Sequence, residues 1–154
     1  MTVSATNEYR EQLEREPLAG SATSSATSAT DSFHSTELAR KAIEFALLED
    51  LGQEGDVTSN STIPKTKQAT ASLIAKDHYS VICGLAAAEM VFKMVDPRLK
   101  FKALVEEGIY VEKAPVTIAT IEGNARSILT AERTALNIMQ RMSGIATSTR
   151  LYVQ

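Results

Sequence analysis

An α+β fold, with a sheet covered by helices, is predicted by three features of this chain. Strand-like runs follow one another between Lys100 and Ile121 with no helix between them. Apolar patterns of helical period occur at 36–48, 85–95 and 129–147. The resulting order is helix, strand, helix, three strands, helix. That order lacks strict βα alternation and favours an antiparallel or mixed sheet with helices on one face.

The first helix is expected over Thr36–Leu48, with Ser35 as N-cap and Glu37 placing a negative charge in the first turn. Leu38, Ala42, Phe45, Ala46 and Leu48 are its expected buried side. Gly52 and Gly55 then break the chain, leaving Glu49, Asp50, Glu54 and Asp56 in an acidic loop. The loop lacks the regular acids and closing glutamate of an EF-hand, so it reads as a solvated connector. Ala69–Ala75 alternates as a strand, and Asp77-His78-Tyr79-Ser80 is the turn after it. Leu85–Val95 forms a helix packed by Ala86, Ala87, Met90, Val91 and Met94; Asp96-Pro97 stops it, because the residue before proline is pushed out of helical space. Strands are expected at Lys100–Val105, Ile109–Val111 and Val116–Ile121, with Glu106-Glu107-Gly108 as a turn and Pro115 as an interruption.

Composition narrows the function classes. The chain has 154 residues, 44% of them hydrophobic, enough for one small core and a tail. A net charge of -3 argues against nucleic acid as a partner, since such domains carry a basic footprint. No apolar run is long enough to cross a membrane as a helix. Residues 1–35 read as a disordered Ser/Thr/Ala-rich tail: Ser21–Ser32 cannot bury enough surface to fold. Glutamates outnumber arginines there, which favours a cytoplasmic location over a plastid or mitochondrial leader, the alternative. The single cysteine, Cys83, lies in an apolar run and reads as a buried structural thiol. His34 and His78 have no Cys or acidic set beside them, so no metal site is expected.

The most informative segment is Leu129–Thr147. Arg126, Thr130, Arg133, Asn137 and Arg141 recur at spacings of three or four and share one helix face. Ile128, Ala131, Ala135, Ile138, Met139 and Met142 form the opposing apolar stripe, and Gly144 offers a left-handed stop. An arginine-bearing face on a well-packed helix suggests a surface that meets an anion. Arg126 and Arg141 read as structural, Glu132 as a partner for a nearby arginine, and Asn137 as either a cap or a cross-subunit contact.

Glu132-Arg133-Thr134-Ala135-Leu136-Asn137 followed by Ser143-Gly144-Ile145-Ala146-Thr147 resembles the signature helix of the quinolinate phosphoribosyltransferases. Leu48-Glu49-Asp50-Leu51-Gly52, Gly55-Asp56-Val57-Thr58, Ile63-Pro64, Gly84, Val91-Phe92, Glu107-Gly108, Val111 and Val116 resemble further family positions in the same order. The resemblance runs from about Thr36 to Thr149. Ala114 departs from it, where the family more often has glycine.

The resemblance implies an N-terminal α+β sandwich domain at 36–142, with 143–154 as the start of an α/β barrel that is missing here. It implies an enzyme that joins quinolinate to phosphoribosyl pyrophosphate, giving nicotinate mononucleotide, pyrophosphate and CO2 in NAD biosynthesis. It assigns Arg133 to bind quinolinate in the neighbouring subunit's site, so a homodimer or higher oligomer is expected. Catalytic and metal-binding residues, with Mg2+ carried on phosphoribosyl pyrophosphate, would belong to the barrel and not to this chain, which is expected to be inactive alone. The alternatives are a non-catalytic dimerisation or interaction module and a related transferase with another substrate.

Overall fold

The structure is a computed structural model and describes residues 37–52 and 61–153. The expected cap at Ser35, the tail, His34, and the Glu54 and Gly55–Thr58 segments lie outside the described residues. The elements run α1 (Glu37–Leu51), β1 (Gln68–Ala75), β2 (Ser80–Val81), α2 (Leu85–Val95), β3 (Lys100–Ala103), β4 (Tyr110–Val111), β5 (Val116–Asn124) and α3 (Ala125–Val153).

The α+β expectation holds. Strands β1, β5 and β3 form an antiparallel sheet in the order β1-β5-β3, and β2 pairs with β4 in a separate two-stranded ribbon. Alternation sorts the main sheet into two faces. Thr70, Glu122 and Lys100 lie side by side on the outer face, with Ser72, Thr120 and Lys102 beside them. Phe101 and Ile121 are paired on the inner face, where Phe101 meets Phe92 of α2 at 5.9 Å between ring centres. Ile82, Val91, Phe92, Leu99, Ile118, Ile121 and Met139 complete a core closed by α2 and α3.

Three expectations are corrected. In α1 the buried residues are Ile43 and Leu47, while Leu38, Phe45 and Leu48 are exposed. The helix carries apolar residues on both sides, so periodicity does not choose a face, and docking against α2 and α3 does. The strand expected to reach Val105 ends at Ala103, and a short strand, β2, starts at Ser80, the last residue read as a turn. Gly144 does not stop the last helix, which starts at Ala125 and continues to Val153. Contacts on both sides of the glycine carry the helix through it, at an intrinsic cost of about 1 kcal/mol. The expected division between 142 and 143 thus falls inside one continuous helix.

Those contacts come from hydroxyls. Ala131, Ala135, Met139, Ser143 and Thr147 recur every four residues on the buried side of α3. Thr147 Oγ1 accepts from Val81 N at 2.9 Å, and Ser143 Oγ accepts from Cys83 N and donates to Cys83 O, both at 3.0 Å. Alternate strand residues are about 6.6 Å apart and one helical turn of four residues rises about 6.0 Å, so the two hydroxyls match the strand edge as a neighbouring strand would.

Candidate functional site

The arginine row separates in three dimensions. Arg126 is half-buried at the start of α3, where its Nε donates to Ile63 O at 2.6 Å. Beside it Asn124 caps the helix, its Oδ1 accepting from Arg126 N at 3.0 Å and Ser127 N at 3.3 Å. Arg133, Asn137 and Arg141 remain on the exposed side. Arg133, Leu129, Glu132, Leu136, Asn137 and Gln140 line a groove of about 360 Å³. Larger recesses lie between α1 and α2 (about 690 Å³) and over the outer sheet face beside Arg98 (about 510 Å³). Size does not rank them for this chemistry, because the groove on α3 is the one that presents the signature arginine.

The carboxylate facing Arg133 is Asp50, not Glu132. Arg133 Nη1 stands 3.6 Å from Asp50 Oδ1, with the arginine side chain 77% exposed and that of Asp50 20% exposed. Thr134 Oγ1, from the buried flank of α3, donates to Asp50 Oδ2 at 3.2 Å. Asp50, read from sequence as part of a solvated connector, is therefore the last acid of α1 and is tied to the signature helix. An exposed pair of this kind contributes little to stability. Its consequence is that the guanidinium keeps most of its donors open to solvent.

A second cluster supports the helix that carries the site. Glu107 extends from the loop before β4 and its carboxylate accepts from Gly84 N and from Leu85 N, the latter at 2.9 Å. It thereby caps α2, whose own N-cap Gly84 has φ 96° and no side chain. The left-handed φ favours glycine at 84, and a Cβ there would also stand 3.0 Å from Met142 Sδ, which would have to give way. Burial, then the Glu107 hydrogen bond and charge, push the Cys83 thiol up to about 11, which suits a structural thiol. His78 is exposed in its turn, and its Nδ1 accepts from Ala114 N at 3.2 Å.

Sequence reasoning missed Asp50, Glu107, Thr134, Ser143 and Thr147 as partners. The available signal was polar residues set inside the apolar stripe of α3. Among the described residues no group of three or more His, Cys, Asp or Glu side chains could hold a metal ion. No described helix is long and apolar enough to cross a membrane.

Residues 56–143 match the family model of the quinolinate phosphoribosyl transferase N-terminal domain. The chain belongs to the quinolinate phosphoribosyltransferase family. It is 45% identical over 117 residues to the chloroplastic nicotinate-nucleotide pyrophosphorylase [carboxylating] of Oryza sativa subsp. japonica, covering 76% of this chain and 31% of that one. The Arabidopsis thaliana protein of the same name is 44% identical over 118 residues, 77% of this chain and 33% of the relative. The crystal structure of NadC from Streptococcus pyogenes superposes with a TM-score of 0.68 at 34% identity, over 73% of this chain and 39% of that chain. The chain thus spans about a third of the length of these plant relatives.

Proposed function

We propose that this quinolinate phosphoribosyltransferase domain serves the reaction of quinolinate with phosphoribosyl pyrophosphate, which yields nicotinate mononucleotide, pyrophosphate and CO2. Its part is to supply Arg133 to the quinolinate site of a neighbouring subunit in a homodimer or larger assembly. The observation that carries this reading is the exposed signature arginine on α3, which lines a groove and keeps most of its donors open to solvent. Quinolinate is a planar dianion, and a guanidinium fork can donate two parallel hydrogen bonds to one of its carboxylates. The names of the rice, Arabidopsis and tobacco relatives support the same reaction class. The rice name also reads chloroplastic and a tobacco name mitochondrial, which favours the organelle alternative over the cytoplasmic one.

The test joins residues 37–153 to the barrel of the rice relative in place of its own N-terminal region. Nicotinate mononucleotide formation is then followed with phosphoribosyl pyrophosphate and Mg2+. Charged hydrogen bonds are worth about 1.5–3 kcal/mol each, so Arg133→Ala raises the KM for quinolinate by about 10- to 100-fold. The KM for phosphoribosyl pyrophosphate stays close to that of the parent. An unchanged KM for quinolinate in the Ala variant overturns the assignment.

A further inference from the structure

We infer that Asp50 is the positioning residue of Arg133, orienting its guanidinium before substrate arrives. The inference rests on the reading of Arg133 as the quinolinate arginine. Thr134 and Arg133 are adjacent in α3 but face different ways, one buried and one outward. Thr134 Oγ1 holds one oxygen of Asp50 at 3.2 Å, which leaves the other oxygen 3.6 Å from Arg133 Nη1. The carboxylate is thus fixed from the buried flank of the same helix whose exposed arginine it faces. At 3.6 Å the contact to Arg133 is an ion pair without a formal hydrogen bond, so it orients the guanidinium without occupying its fork. An arginine side chain is rich in rotamers, and restricting them beforehand lowers the entropy lost on binding.

A second observation is independent of these distances. Asp50 lies in the last turn of α1, a turn that contains no basic residue. A negative charge there opposes the helix dipole. A residue that breaks a local rule of this kind is held by a tertiary role, and Arg133 with Thr134 supplies one here.

The first arm of the test uses the whole 154-residue chain, labelled with ¹⁵N-arginine. In the wild type, the Arg133 guanidinium resonances separate from those of exposed Arg141 and show slowed rotation about Nε–Cζ. Asp50→Asn keeps an acceptor for Thr134 but loses the charge, and it collapses the Arg133 signals onto the Arg141 pattern. Thr134→Val weakens the effect, and Asp50→Glu restores part of it. Arg133 signals that match Arg141 in the wild type, or that ignore Asp50→Asn, overturn the inference.

The second arm uses the barrel fusion. There Asp50→Asn raises the KM for quinolinate by about three- to tenfold, the cost of ordering one long side chain, with kcat unchanged. A lower KM would mean that Asp50 merely attenuates the arginine's charge, and that too overturns it. If Arg133→Ala leaves the KM for quinolinate unchanged, the substrate reading fails. If Arg133→Ala raises it and Asp50→Asn does not, only the positioning role fails.

Discussion

Glu107 is separated by more than twenty residues from the two backbone amides it caps, yet it is the counter-charge that the start of α2 requires. Removing it leaves two N–H groups unpaired at a helix N-terminus. Glu107→Ala is therefore expected to destabilise the fold by about 2–4 kcal/mol, read by urea denaturation. Burial, and after it the same carboxylate, pushes the Cys83 thiol up to about 11. At pH 8 the thiolate is scarce but intrinsically more nucleophilic, so disulfide-reagent labelling of the folded chain should be on the order of tenfold slower than in urea. Asp96 behaves in the opposite sense. Arg98 is the main cause holding its carboxyl down at about 2, and Ser127 contributes. A depressed folded value means that this stabilisation is present at neutral pH and is lost as pH falls from about 4 toward 2. The melting temperature should decline over that window, and Asp96→Asn should flatten the decline.

At the scale of elements, α3 does two jobs. Its outer side presents Arg133, and its inner side holds β2 through Thr147 and the segment just after it through Ser143. Ser143→Ala leaves the partly buried Cys83 amide and carbonyl without their side-chain partner and should cost about 1–3 kcal/mol. Ending the chain after Met142 removes both hydroxyls together with the Arg150 guanidinium that lies 4.0 Å over the Tyr110 ring. Such a truncation should lose cooperative unfolding, whereas one that ends after Val153 should keep it. The helix itself was legible from its period of three and four. Its length was not, because Gly144 is a stop signal locally and only contacts with β2 and Tyr110 outweigh it.

At the scale of the whole molecule, α1 carries three exposed apolar side chains, with Leu38 76%, Phe45 71% and Leu48 60% exposed. Such a surface favours association. Phe45→Glu with Leu48→Glu should reduce self-association in sedimentation velocity while leaving unfolding free energy within about 0.5 kcal/mol, since neither residue is buried. By itself the sequence determined the α+β class, the main elements and the family, because periodicity and motif spacing are properties of neighbouring residues. Which side of α1 is buried, how far α3 runs, and the pairing of Asp50 with Thr134 and Arg133 were decided only by the tertiary structure. Asp50 and Thr134 are 84 positions apart, and a contact at that separation exists only once packing has brought α1 against α3.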